Sequence, residues 1–377
     1  MKFSLFYLIC FLSYLTMFSQ GTLQGVDPTT LEDTLTNYVN QFKAKERAIG
    51  LQISVKTPGK LDWHYASGLA VLNPPQQALP GMVFRVASVS KLFCATAVLQ
   101  LEQRGMLKLG DPISKWLPQK LVTQLRNGDS ISICDLLLHT SGIYEPSFLN
   151  YINDSIDFRP ILMDKIAEMN QFTPYGFHFY SNANYFLLSE IIQVASGMSY
   201  ESYIQNNIIE PLQLKDTYLM HLPLANRFHG YIQSIFLDRY KDIQPSFLID
   251  ASDFNISFTK GAADISSSTR DLVKFYEGLH NGKILSLNYV EQMIEKSVLR
   301  NDIYQRYGLG TMLFTHADHT FFYGHLGTLA GYKTLLLYYP KTNTYIALAL
   351  NLHEFPSSKV LDLVVKIFKI IETFDTN

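Results

Sequence analysis

The chain has 377 residues, 47% of them hydrophobic and 17% charged. That length supports one large domain or two closely packed ones, and the composition excludes a disordered or heavily charged solvating protein. Lys plus Arg number 31 against 33 Asp plus Glu, a net charge of −2, and no segment concentrates positive charge as a nucleic-acid binder does. Nucleic acid is therefore excluded as a partner.

The chain opens with Met1-Lys2, an uncharged aromatic-rich run from Phe3 to Phe18, and then Ser19-Gln20-Gly21-Thr22. One positive charge, an apolar stretch and small residues read as a signal peptide, residues 1–21, cleaved after Gly21. A secreted or periplasmic location is expected, with residues 22–377 as the mature chain. Left uncleaved, the same segment would anchor the protein in a membrane. Cys10 belongs to this segment. Cys94 and Cys134 fall in apolar, helical-looking stretches and read as buried free thiols, with a disulfide between them as the other possibility.

Leu31 to Ala48 has the period of an amphipathic helix. Gly50–Thr57 and Leu61–Leu69 read as two strands turned at Pro58-Gly59, and Ser181–Ala195 is the clearest helix of the middle. Near the other end Thr320–Gly324, Tyr332–Tyr339 and Thr344–Leu350 read as strands, the last two joined at Pro340-Lys341-Thr342-Asn343, before a final helix from about Ser358 to Thr373. The expected fold is mixed α/β (α+β): an antiparallel sheet built from both chain ends, about 22–110 and 255–377, flanked by helices. A mainly helical subdomain, about 111–254, is inserted and leaves a cleft at the junction.

Phe84-Arg-Val-Ala-Ser-Val-Ser-Lys91 precedes an apolar run, Leu92 to Leu101, that ends at Arg104-Gly105 and reads as a buried helix. Ser88 then stands at the helix N-terminus with Lys91 one turn on, on the same face. A serine hydroxyl is a poor nucleophile until a base takes its proton, and a lysine can serve only where burial or nearby positive charge disfavours the ammonium. A buried helix supplies the first condition, and its N-terminus also favours a developing oxyanion. Ser90 lies on another face. The spacing alone is unspecific, because Ser257-Phe-Thr-Lys260 repeats it; that copy lacks the buried helix and reads as accidental.

Two further groups carry the assignment. Of three Tyr-x-Asn tripeptides, at Tyr38, Tyr151 and Tyr180, only Tyr180-Ser181-Asn182 lies in a loop before a strong helix. There a phenol can relay a proton to Ser88, and an amide can hold Lys91 or a substrate carbonyl; by itself the tripeptide is equally a helix N-cap behind a packing tyrosine. His325-Leu326-Gly327-Thr328 sits on a strand where glycine admits substrate backbone and histidine can carry charge. The amides of Thr328 and Ser88 can form an oxyanion hole.

In order and setting these groups resemble the serine β-lactamase and penicillin-binding-protein superfamily, with its S-x-x-K, Y-x-N and K/H-x-G signature. The branch most similar is that of class C β-lactamases and D-alanyl-D-alanine carboxypeptidases. Leu136-Leu-Leu-His-Thr-Ser-Gly142 and Gly324-His-Leu-Gly-Thr-Leu-Ala-Gly-Tyr332 also stand where that branch has them. The resemblance implies an acyl-enzyme on Ser88, proton management by Lys91 with Tyr180, substrate contact by Asn182, and His325, Gly327 and Thr328 on the opposite wall. It implies no metal or organic cofactor, and a small-molecule or peptide substrate such as a cell-wall peptide. Where the branch carries a hydroxyl residue that binds a substrate carboxylate, this chain has Leu326. An esterase or carboxypeptidase-like hydrolase with little β-lactamase turnover is expected, against a sensor that acylates without turnover or a true class C-type β-lactamase.

Other constellations carry no function here. His316-Ala-Asp-His319 reads as a solvated turn between strands, His139 as support for the cleft floor, and Asn255-Ile-Ser257 as a glycosylation acceptor only in a eukaryotic secretory pathway. No G-x-S-x-G elbow of the α/β-hydrolase kind occurs.

Overall fold

The computed structural model describes residues 30–144, 161–168, 174–233, 248–299 and 305–375. The expected signal segment and the Tyr151 tripeptide lie outside the described residues. Helix α1 (Leu31–Glu46) starts at Thr30, whose hydroxyl accepts from the Asp33 amide, carries Glu32 and Asp33 in its first turn and Lys43 and Lys45 in its last, and stops at left-handed Arg47.

Nine strands form one antiparallel sheet: β1 (Gly50–Thr57), β2 (Leu61–Leu72), β3 (Pro75–Gln77), β4 (Val298–Leu299), β5 (Arg306–Tyr307), β6 (Met312–Thr315), β7 (Phe321–Leu329), β8 (Tyr332–Tyr339) and β9 (Thr344–Leu350). Their order is β3-β2-β1-β9-β8-β7-β6-β5-β4, so strands from the two chain ends meet where β1 pairs with β9, Ile53 opposite Leu348. The expected strands hold, with β7 running on through Leu329 instead of ending at Gly324. Short β3, β4 and β5 carry too few residues to show a period of two, and the sequence reading passes over them.

The sheet is buried on both faces at its centre. On β9, Tyr345, Ala347 and Ala349 enter one apolar cluster with Phe93, Leu99 and Ile191, while Ile346, Leu348 and Leu350 enter a second with Leu35, Val39 and Phe368. Each fully buried Leu, Ile, Val or Phe side chain among these contributes about 1.5–3 kcal/mol. The second cluster is closed by α1 and the C-terminal helix Ser357–Asp375. The first holds the nucleophile helix α2 (Ser90–Gln103), buried on every side from Ser90 to Leu101, with Phe93 stacked on Phe275 at 3.7 Å. Glycine at 105, with φ +70°, ends it.

Between residues 111 and 254 the described elements are short helices, among them α3 (Ile133–Leu138) and the longer α4 (Asn182–Ser196), together with small strands at Tyr218–Leu219, Tyr231–Gln233 and Leu248–Asp250 that the sequence reading missed. Two- and three-residue strands leave no pattern to read. Cys94 and Cys134 are both free, Cys94 fully buried and Cys134 half-buried.

Candidate active site

Ser88 sits in a 3-10 turn, Ala87–Val89, that runs directly into α2. Ala87 is left-handed at φ +53°, a conformation that costs an alanine on the order of 1 kcal/mol. Its surroundings impose it. Phe84-Arg85 pairs with Ser266 and Ser267, the Val86 amide donates to the Ile265 carbonyl, and Thr334 Oγ1 on β8 donates to the Val86 carbonyl at 2.8 Å. Ser90, the other serine of the motif, is buried and accepts from the Ile265 amide. Of the two, Ser88 alone is partly open to solvent.

Lys91 is fully buried. Its Nζ lies 2.5 Å from Asn182 Oδ1, 2.9 Å from the Ala262 carbonyl oxygen and 3.3 Å from Ser88 Oγ. Amide and carbonyl oxygens only accept, so they take two N–H bonds and leave the third direction aimed at Ser88. A neutral amine would present its lone pair there, and an ammonium its third proton. The same geometry thus serves before and after proton transfer. The Tyr180 ring centroid is 4.8 Å from Nζ and that of Tyr185 5.4 Å. Burial pushes the Tyr185 phenol well up, so it stays neutral beside the amine.

The carbonyl of Ala262 carries no side-chain signature, and the sequence reading missed it. It lies just after the accidental Ser257–Lys260 copy, where Lys260 pairs with Glu190 at 2.7 Å. Asn182 is the first residue of α4, and Ser181 stands at the N-cap without capping through its side chain; its hydroxyl donates to the Tyr144 carbonyl instead. The tripeptide therefore does more than cap a helix: it delivers an acceptor to Lys91.

β7 crosses in front of this cluster. A Cβ on Gly327 would come within 2.3 Å of Thr334 Oγ1, 2.6 Å of the Val86 carbonyl and 2.9 Å of Ala87 Cβ, so only glycine lets the strand pass beside Ser88. Gly310, φ +79°, does the same behind α2, where a Cβ would meet Ala95 Cβ at 2.4 Å. Thr328 is exposed, and its Oγ1 accepts from Lys333 Nζ at 2.9 Å. Burial disfavours the Lys333 ammonium and lowers its pKa, against the pull of Glu354. Leu326 is half-buried at the edge of the second apolar cluster, which also receives the Tyr180 ring.

His325 is placed differently from a residue that greets substrate. Its side chain is fully buried, with Nε2 3.0 Å from Tyr307 Oη and Nδ1 2.5 Å from the Leu326 carbonyl. His139, also fully buried, bonds Tyr307 from the other side. The turn at His316–His319 is held by Asp318, which accepts from Thr320 and His316, bonds that hold its carboxyl well below the usual range. Among the described residues no group of three or more metal-ligating side chains occurs, and no helix is long and apolar enough to cross a membrane.

A family model described as Beta-lactamase matches residues 35–366. The chain is 26% identical over 295 residues to a penicillin-binding protein of Bacillus subtilis (strain 168), covering 74% of this chain and 63% of that protein. It is 28% identical over 321 residues to Protein flp of Staphylococcus aureus (strain MW2), covering 81% of this chain and 60% of Protein flp. The chain thus spans less than two thirds of these relatives. Among solved structures it is similar to a D-amino acid amidase of Ochrobactrum anthropi SV3, TM-score 0.80 at 23% identity over 92% of this chain and 100% of the amidase. It is also similar to a D-stereospecific amidohydrolase of a Streptomyces species, TM-score 0.71 at 25% identity over 89% and 98%.

Proposed function

The chain belongs to the Beta-lactamase family and shares the fold of its serine hydrolases, and we propose that it hydrolyses an amide or ester through an acyl-enzyme on Ser88. The observation that carries this reading is Lys91 Nζ, 3.3 Å from Ser88 Oγ and held there by Asn182 and the Ala262 carbonyl. Lys91, with Tyr180 beside it, takes the Ser88 proton as Oγ attacks the substrate carbonyl. The amides of Ser88 and Thr328 face the developing oxyanion, the proton passes to the leaving group, and water then releases the acyl group.

The substrate class is a D-configured amide or peptide, a D-alanyl cell-wall peptide first among them. The penicillin-binding and D-amino acid amidase relatives support it. Leu326 in place of a hydroxyl residue speaks for slow β-lactam turnover. The segment Phe3–Phe18 supports export, with the catalytic body outside the cytoplasm.

The test is labelling of wild type and Ser88→Ala with a fluorescent penicillin and a fluorophosphonate. Wild type takes label and the variant does not. Equal labelling of the variant overturns the reading, and rapid nitrocefin hydrolysis by wild type overturns the slow-turnover part of it.

A further inference from the structure

His139 is the left-handed residue that ends α3, at φ +57°. Its backbone carbonyl accepts from the Phe179 amide, and its ring Nδ1 lies 3.2 Å from the Ser181 amide nitrogen and 3.1 Å from Asn184 Nδ2. Asn184 Oδ1 is taken by the Ser141 hydroxyl at 2.7 Å, which turns its NH2 toward the histidine. Backbone and amide N–H groups only donate, so Nδ1 accepts and the ring carries a proton on Nε2. That Nε2 is 3.3 Å from Tyr307 Oη.

The other end is fixed in the same way. The Leu326 carbonyl only accepts, so His325 Nδ1 carries the proton and, in the neutral ring, Nε2 accepts. Tyr307 Oη, 3.0 Å away, is the donor. One consistent direction results: Ser181 N–H to His139 Nδ1, His139 Nε2–H to Tyr307 Oη, Tyr307 O–H to His325 Nε2, and His325 Nδ1–H to the Leu326 carbonyl. Tyr185 also lies against Tyr307, and its own proton goes to the Leu137 carbonyl. The Tyr180 ring packs on this line, with its centroid 4.4 Å from that of His139, 6.0 Å from Tyr307 and 6.3 Å from His325.

We propose that His139 and Tyr307 are positioning residues for acyl transfer at Ser88, joining the Tyr180 loop to β7 through this directed relay and giving His325 Nε2 its donor. The inference rests on the Ser88 reading for its kinetic consequence, although the tautomers can be measured without it. Removing the central hydroxyl breaks its bonds to His139 Nε2 and to His325 Nε2 together, and buried groups that lose a hydrogen bond force a rearrangement. Because the relay spans both sides of the site, that rearrangement moves Tyr180 relative to Gly327 and Thr328.

Nitrogen-15 NMR of histidine-labelled wild type should show His325 as the neutral Nδ1–H form and His139 as the neutral Nε2–H form at pH 7. In Tyr307→Phe, the His325 Nε2 resonance should shift as it loses its donor while Nδ1 keeps its proton on the Leu326 carbonyl, and fluorophosphonate acylation should slow about tenfold or more. His139→Gln, which keeps an N–H donor toward Tyr307, should retain more activity than His139→Leu. An Nε2–H or doubly protonated His325 in wild type overturns the relay whether or not Ser88 is the nucleophile. An unchanged His325 Nε2 shift and rate in Tyr307→Phe overturn its positioning role. If Ser88→Ala labels like wild type while the tautomers are as stated, the nucleophile is wrong and the relay stands.

Discussion

Asn182 holds Lys91 more closely than Ser88 does: Oδ1 lies 2.5 Å from Nζ, against 3.3 Å for Ser88 Oγ. The amide is a neutral acceptor, so it orients the amine without fixing its charge. Asn182→Ala should slow fluorophosphonate labelling about tenfold. Asn182→Asp should slow it further at neutral pH, because a carboxylate at that distance holds Lys91 as an ammonium. Labelling rates across the three proteins decide this, and an Asp variant as fast as wild type contradicts it.

Gly327 sets the approach of β7 to the nucleophile turn. In Gly327→Ala the new Cβ must displace Thr334 or the Val86 carbonyl, so the melting temperature should drop by several degrees and acylation should fall with it. A variant that melts like wild type would show that the strand has slack at this point.

Asp264 is fully buried, two residues beyond the carbonyl that holds Lys91, and burial raises its carboxyl from 3.8 to about 7 despite the Gly261 amide that donates to it. Between those values the folded chain keeps a proton the unfolded chain has released, so stability falls as pH rises through that window and levels off above it. The effect is at most about 4 kcal/mol. Asp264→Asn should flatten the melting temperature between pH 4.5 and 7 and melt higher than wild type at pH 8. Parallel curves for the two proteins contradict the assignment.

Leu326 stands where a hydroxyl residue serves carboxylate-bearing substrates. Leu326→Thr should raise the acylation rate by penicillin severalfold while leaving the rate with an uncharged ester nearly unchanged. Equal changes with both substrates would place the effect in packing against Tyr180 instead of in recognition.

Much of the fold was legible because its central strands are long and apolar on both faces. Gly50–Thr57, Tyr332–Tyr339 and Thr344–Leu350 emerge with the boundaries their sequence implies. Ser88, Lys91 and Asn182 were legible because their chemistry needs specific side chains at fixed places on helix ends, and the structure brings the three together. The Ala262 carbonyl was not, since a backbone acceptor leaves no trace in residue type. His139 and Tyr307 come from segments 168 residues apart, and nothing local announces that they share a bond. His325 shows the opposite limit: its type and motif point to the cleft, while both its ring nitrogens are bonded within the wall.

The central claim is that Ser88 is the nucleophile and Lys91 its base. Its most direct test is intact-protein mass spectrometry after exposure to a fluorophosphonate, with peptide mapping of the adduct in wild type, Lys91→Met and Ser257→Ala. A single adduct on Ser88 is expected, formed normally in Ser257→Ala and lost or greatly slowed in Lys91→Met. An adduct on any other residue, or one that forms at the wild-type rate without Lys91, would contradict it.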